Sequence, residues 1–179
     1  MSMSEPDTSS GLSLRIGTLE EGRAMIGTTG PTRYAALTVN APMIQYFCGV
    51  VEDGNPGYWS EAFAEAQWGG IISPPSMLHS WVIPLPWQPE GVRPVSSLSM
   101  DVPLPGDKPI NVSSDAEFFE PIRVGDRLDY TETLLSISDE KTTRIGTGHF
   151  VETALDVRRQ DGVTVARVTN ILFRYRSDG

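Results

Sequence analysis

Hydrophobic positions repeat with two different periods along the chain, and the change of period divides it into two halves. Residues 18–82 show helical spacing interrupted by turns, whereas residues 115–176 contain long runs typical of β-strands. Residues 84–109 lie between the halves and include seven prolines, each of which removes a backbone donor and restricts the residue before it. The pattern predicts an α+β fold with a proline-rich loop at its centre.

The second half is predicted to form three long strands, at residues 127–138, 142–158 and 163–175. Asp161-Gly162 separates the last two and is suited to the positive backbone angles of a tight hairpin, which makes those strands antiparallel neighbours. Just before the first of them, residues 118–126 resemble a strand that enters a tight turn.

Two helices are predicted in the first half. Residues 58–66 are good helix formers and are followed by Gly69 and Gly70, a natural helix stop. Residues 76–82 follow Pro74-Pro75 and begin a longer helix capped by Ser73 or Ser76. This order of elements permits an antiparallel sheet wrapped around a central helix, among other α+β folds.

Composition limits the function classes. The 179 residues suit one domain, taken as residues 18–179 after an N-terminal tail at 1–17. A formal net charge of -9 argues against nucleic acid as a partner. One cysteine excludes an internal disulfide, and two distant histidines do not suit zinc, so no metal site is expected. Without a signal segment or a long apolar run, the chain is predicted to be soluble, cytoplasmic and not membrane-bound.

Candidate chemistry concentrates in two segments of the first half. Asp53 and Asn55 lie in an Asp-Gly-Asn-Pro turn, and the backbone N–H groups of Ser76 and Met77 are free donors if a helix begins there. Water addition to a conjugated thioester needs a base for water and donors for the enolate oxygen, roles that fit these groups. An aspartate in such a turn more often serves only backbone hydrogen bonds, so both interpretations stay open.

These segments resemble the MaoC-like hydratase family and its FAS1-like dehydratase branch. Asp53, Asn55 and Pro56 match the family's Ser-Gly-Asp-x-Asn-Pro-Leu-His signature, with Tyr58 in the place of the histidine. Residues 72–77 resemble the branch's Ile-Ala-Pro-Pro-Thr pattern, and residues 119–126 resemble its strand-turn-strand passage. The similarity extends over residues 22–176.

The resemblance implies a hot-dog fold and a subunit of an enoyl-CoA hydratase or 3-hydroxyacyl thioester dehydratase, without metal or redox cofactor. Fatty-acyl, mycolic-type or steroid side-chain thioesters of CoA or an acyl-carrier protein are the implied substrates. In the family, the Asp and His activate water together, and tyrosine, with a pKa near 10, is a poor base. Family members form side-by-side homodimers or heterodimers, so a paralogous subunit is expected to supply the full pair.

Two other functions remain open at the level of sequence. A non-catalytic acyl-CoA binding or scaffold subunit also fits the missing histidine. A hot-dog thioesterase fits less well, because thioesterases usually lack the Asp-x-Asn-Pro turn and the Pro-Pro step.

The implied acyl tunnel runs beside the family's first helix, here residues 39–50. Met43, Tyr46, Phe47, Trp59 and Trp81 are its candidate walls, although aromatic and methionine side chains at this spacing serve equally as core or interface. His79 and His149 more often would be packed side chains than catalysts, and Cys48 a buried, inert thiol rather than a reactive one.

Overall fold

A computed structural model of the chain describes residues 14–85, 89 and 97–176. The chain forms one antiparallel sheet with short helices packed against it, as the α+β prediction requires. The helices are Leu19–Arg23 (α1), Ala41–Val51 (α2), Pro56–Trp59 (α3), Glu61–Trp68 (α4), Leu78–Val82 (α5) and Leu98–Asp101 (α6). The strands are Arg33–Tyr34 (β1), Lys108–Phe118 (β2), Leu128–Ile137 (β3), Lys141–Thr143 (β4), Gly146–Arg159 (β5) and Thr164–Arg176 (β6).

The sheet has the strand order β1-β3-β5-β6-β2, with β4 paired to β5. The predicted hairpin between the last two strands is confirmed, because β5 and β6 pair antiparallel and Gly162 between them has a φ of 82°. Asp161 stabilises the turn by accepting a hydrogen bond of 3.1 Å from the Val163 N–H. One edge of the sheet is the two-residue β1, and the other is the 11-residue β2.

The prediction of a single strand over residues 142–158 is wrong. A tight turn at Arg144 and Ile145 divides this stretch into β4 and β5, which pair with each other. Gly146 allows the turn because its φ is 145°, a backbone angle that residues with a side chain rarely adopt. A Cβ at this position would also collide with the Arg176 carbonyl oxygen.

The helix predicted at residues 58–66 is two helices. Ser60 has an extended backbone between α3 and α4, and its hydroxyl accepts from the Phe63 N–H to begin α4. The predicted end is confirmed, because Gly69 terminates α4 with a φ of 71°. The predicted serine cap of the next helix is wrong: a 3₁₀ turn, Pro75–Met77, precedes α5 without any side-chain cap.

The proline-rich loop expected at residues 84–109 contains regular elements where the structure describes it, and residues 86–88 and 90–96 lie outside the described residues. It contains α6, and β2 already begins at Lys108; Pro109 is accommodated because β2 is an edge strand. Most of the tail expected at 1–17 lies outside the described residues, but within it Arg15 and Gly17 donate their backbone N–H groups to the carbonyl oxygens of Met100 and Leu104. Their backbone donors find partners there that the sequence pattern did not indicate.

The core consists of two clusters of buried side chains. The larger cluster packs α2 and α5 on the sheet; the smaller lies under α6. Members of the larger include Ile44, Cys48, Tyr58, Met77, Leu78, Trp81, Val157 and Val168, and members of the smaller are Leu98, Val102, Leu104, Leu134, Ile137 and Val151.

Arg174 of β6 is fully buried and binds backbone carbonyl groups. Its guanidinium donates to the carbonyl oxygens of Gly106 at 2.8 Å and Arg15 at 3.1 Å, and to those of Ser99, Met100 and Val102 at the end of α6. Burial lowers the pKa of this side chain from its usual high value, and nearby Asp107 opposes that effect. The side chain therefore joins the N-terminal segment, α6 and the sheet.

Candidate functional site

Asp53 and Asn55 form a rigid turn between α2 and α3. The Asp53 carboxylate accepts a hydrogen bond of 3.0 Å from the Asn55 N–H, and the Asn55 side chain caps α3 by accepting from the Gly57 N–H at 2.9 Å. Trp59, which is 45% exposed, donates its indole N–H to the Asp53 carbonyl at 2.8 Å. Asp53 therefore forms the backbone hydrogen bonds that are usual for an aspartate in such a turn, and the exposed Trp59 side chain also stabilises the turn.

Tyr58 is buried beside this turn. Burial raises the pKa of its phenol above the ordinary value, and the neighbouring Asp53 and Cys48 raise it further, whereas the Asn55 side chain acts in the opposite direction. Burial and Asp53 also raise the pKa of the Cys48 thiol. Tyr58 is therefore protonated at neutral pH and can donate a hydrogen bond, but it cannot accept a proton from water as histidine does.

The second segment turns sharply before α5. Ser73 accepts a hydrogen bond of 2.8 Å from the indole of Trp81, which is only 1% exposed and belongs to the core. The Met77 N–H donates to the Pro74 carbonyl at 3.0 Å, and Pro75 has no N–H. Within the described ranges, the Ser76 N–H has no hydrogen-bond partner and is the available donor at this turn.

Two hollows flank this turn. A groove of about 410 Å³ runs between α2 and α5, and a smaller hollow of about 290 Å³ contains Tyr58, Ser73 and Pro75. The groove includes three predicted tunnel residues together with Met77; its lining is Pro42, Met43, Tyr46, Phe47, Val50, Met77 and Ser80. The structure therefore brings Met43, Tyr46 and Phe47 together, and it places Trp59 and Trp81 elsewhere.

A third hollow, of about 360 Å³, lies between the end of α5 and the sheet; we call it the inner cavity. Val82 and Ile83 of the α5 end form one side of it. Its floor is formed by Tyr130, Glu132, Thr153, Leu155, Val168 and Asn170. This site was not predicted from the sequence. A signal was present, because Glu132, Thr153 and Asn170 are polar residues at inward positions of long strands.

The histidines lie apart from the Asp53 turn. His79 is exposed at the rim of the inner cavity, and His149 is 2% exposed in β5, where its Nδ1 lies 3.1 Å from the Ser138 carbonyl oxygen. Cys48 is a buried free thiol.

In the part of the chain that the structure describes, no group of three or more His, Cys, Asp and Glu side chains could hold a metal ion. Over the same residues, every helix is too short or too polar to cross a membrane.

Comparison with solved structures places the fold. The ChsH1-ChsH2 complex from Mycobacterium tuberculosis matches with a TM-score of 0.70 at 23% identity, over 89% of this chain and 92% of that one. A MaoC-like dehydratase from Rhodospirillum rubrum matches with a TM-score of 0.56 at 21% identity, over 86% and 94% of the two chains. The predicted hot-dog fold is confirmed.

Two curated proteins are similar in sequence. A probable enoyl-CoA hydratase alpha subunit from Thermomonospora curvata is 31% identical over 165 residues, which are 86% of this chain and 50% of that protein. A 3-oxo-4,17-pregnadiene-20-carboxyl-CoA hydratase alpha subunit from Mycobacterium tuberculosis is 27% identical, over 76% of this chain and 45% of that protein. The chain thus spans about half the length of these relatives.

A family model also matches the chain and shows which family it belongs to. The model of the FAS1-like, dehydratase domain region matches residues 24–168, which include the Asp53 turn, the Ser76 turn and the lining of the inner cavity except Asn170. The chain therefore belongs to the family that this model describes, the FAS1-like dehydratase domain region, as the sequence resemblance predicted.

Proposed function

We propose that this chain is the acyl-binding subunit of an enoyl-CoA hydratase or 3-hydroxyacyl thioester dehydratase, paired with a second hot-dog subunit that carries the complete Asp–His pair. The names of the curated relatives, both alpha subunits of hydratases, support this assignment. The reaction adds water across a 2-enoyl thioester or removes it, and needs a base and hydrogen-bond donors but no metal or redox group.

The observation that carries the proposal is the state of Tyr58. Asp53, Asn55 and Pro56 keep their family positions in the turn, but the phenol at the histidine position is buried and its pKa is raised. An un-ionised tyrosine cannot activate water as a general base. The histidine that does so must therefore come from another subunit.

The thioester is proposed to lie across the Ser76 turn. The free Ser76 N–H would donate to the thioester oxygen, and the groove formed by Met43, Tyr46 and Phe47 would hold the carbons next to it. The Met77 N–H, which already donates to Pro74, could join only if that turn opened. Asp53 and Asn55 keep their own turn, between α2 and α3, in a fixed shape.

The edge strand β2 is the proposed docking edge for the partner. Ten of the 11 residues of β2 pair with β6, and Val112 is left out at a register shift. Among the described strands none pairs with the other edge of β2, where most side chains are exposed. Exposed apolar side chains follow the edge, at Ile110, Val112, Phe118 and Phe119. An unpaired edge of this length is a template for another strand, and a second hot-dog sheet would extend it.

The first prediction concerns reconstitution. The purified chain alone should hydrate 2-enoyl-CoA slowly or not at all, whereas the chain mixed with a co-encoded hot-dog protein that retains Asp-x-x-x-x-His should be at least about 100-fold faster, the range of general-base catalysis. Loss of the conjugated enoyl absorbance measures the rate. Full activity of this chain alone would refute the division of labour, and full activity of the neighbour alone would favour the binding or scaffold role instead.

The second prediction concerns the edge. Replacing Ile110 and Val112 together by lysine should prevent assembly with the partner, since charged side chains on an edge oppose strand pairing. Ile145→Lys is the matched control, because Ile145 is also 44% exposed but lies in the β4–β5 turn. Native mass measurement of the mixed subunits checks the result, and a heteromer that survives the double substitution would place the interface elsewhere.

A further inference from the structure

The floor of the inner cavity is polar where the inward face of a sheet is normally apolar. Thr153 of β5 lies directly opposite Asn170 of β6, and Asn170 lies opposite Ser114 of β2. Glu132 of β3 lines the same space. This row separates the two core clusters, and inward polar groups reduce stability unless they form hydrogen bonds.

Some of these groups are already satisfied by the protein. The Glu132 carboxylate accepts from the Ser97 hydroxyl at 2.8 Å and from the Leu98 N–H at 2.7 Å, at the start of α6. The Asn170 side-chain oxygen accepts from the Ser114 hydroxyl at 2.7 Å. That bond fixes the orientation of the amide, so its Nδ2 group is held ready to donate.

Two donors on the floor are left without a partner. Among residues 14–85, 89 and 97–176, neither Nδ2 of Asn170 nor the hydroxyl of Thr153 forms a hydrogen bond. Thr153 is only 2% exposed, and both residues line the cavity. Two adjacent donors that face a hollow are suited to one acceptor oxygen of a ligand.

Most of the remaining surface of the cavity is apolar, although His79, Ser97, Tyr130 and Glu132 also line it. Val82, Leu155 and Val168 lie above and beside the polar pair, in a space of about 360 Å³. An occupant must therefore be a hydrocarbon body with an oxygen at the end that meets Asn170. A hydrocarbon end without oxygen would leave the two donors desolvated and unpaired, which costs affinity.

On the basis of the proposed function, we propose that Asn170 and Thr153 select an acyl group that carries a carbonyl or hydroxyl oxygen at its far end. The acyl chain leaves the Ser76 turn along the groove and passes around the end of α5 into the inner cavity. Asn170 Nδ2 and the Thr153 hydroxyl then donate to the distal oxygen. The substrate class is a 2-enoyl or 3-hydroxyacyl thioester with an oxygenated tail.

The end of α5 provides the route. Ser80 lines the groove, and Ile83, one turn further along, lines the inner cavity and is 54% exposed. The helix stops at Val82, and Pro84 follows. At the helical rise, the path from Ser76 to Val82 is about 10 Å, a distance that a medium-length acyl chain spans.

The test compares two ligands that differ only in the distal oxygen: 9-oxodec-2-enoyl-CoA and dec-2-enoyl-CoA, titrated into the full chain by calorimetry. The wild-type chain should bind the oxo ligand about 10-fold more tightly or better. Asn170→Leu and Thr153→Val, two substitutions of similar shape, should each reduce that preference to less than about 3-fold without weakening dec-2-enoyl-CoA binding.

Thr169→Val is the matched control, since it removes a hydroxyl from the opposite face of β6, one residue from Asn170, and should keep the wild-type preference. Equal affinity of the wild-type chain for the two ligands overturns the inference while the proposed function stands. A preference that survives both cavity substitutions also overturns it. Failure to bind either thioester contradicts the proposed function itself, and the inference falls with it.

Discussion

The isolated chain is expected to gain hydratase activity when Tyr58 is replaced by histidine. The substitution places an imidazole next to Asp53, at the family position, in a turn whose backbone is already fixed by the Asn55 and Trp59 hydrogen bonds. General-base catalysis contributes roughly 10²–10⁴-fold, so an increase of about 100-fold in enoyl-CoA hydration is expected. Initial rates with saturating 2-enoyl-CoA measure it.

Two variants separate this gain from nonspecific effects. Tyr58→Phe removes the phenol without adding a base and should stay at the rate of the unmodified chain. The double variant Tyr58→His with Asp53→Asn should lose most of the gain, because the imidazole then lacks its carboxylate. A gain of equal size in the double variant would assign no catalytic role to Asp53.

Arg174→Met is expected to lower the free energy of unfolding by about 3–5 kcal/mol, comparable to breaking a buried ionic interaction. Replacing a buried ion pair by apolar residues can be harmless, but the partners of Arg174 are backbone carbonyl groups that no substitution removes. For a chain of this length, the change corresponds to a melting temperature lower by on the order of 10 °C. Denaturant titration and thermal melts check it.

The control lies in the same strand. Arg167 forms an ion pair of 2.6 Å with Asp156, but its side chain is 52% exposed. Arg167→Met should cost at most about 1 kcal/mol, as surface ion pairs do. Equal losses from the two substitutions would show that burial of Arg174 is not what makes it important.

Sequence reasoning predicted the elements that depend on local chemistry. The hairpin at Asp161-Gly162 and the end of α4 at Gly69 follow from backbone angles that glycine permits. It failed where a distant contact decides. Nothing local shows that Gly146 must pass close to the Arg176 carbonyl, or that Ser73 is engaged by Trp81 and so cannot cap a helix.

The candidate site divides in the same way. Asp53, Asn55 and Tyr58 were found because they are adjacent in a motif. Thr153 and Asn170 become neighbours only through the pairing of β5 with β6. The β-type runs indicated the strands, but the register that aligns polar inward residues across them is set by the whole sheet, including the shift between Val157 and Arg158.

Because the edge of β2 is the proposed docking edge, the stability of this chain should depend on the concentration of its partner. If a partner strand pairs only with the folded chain, each increase in partner concentration draws the folding equilibrium further toward the native state. The melting temperature of the mixture should then rise with the logarithm of the partner's concentration. Under the proposed pairing, a cell that makes this chain in excess would accumulate the less stable, unpaired form, and balanced synthesis of the two subunits would protect the 11-residue edge from aggregation.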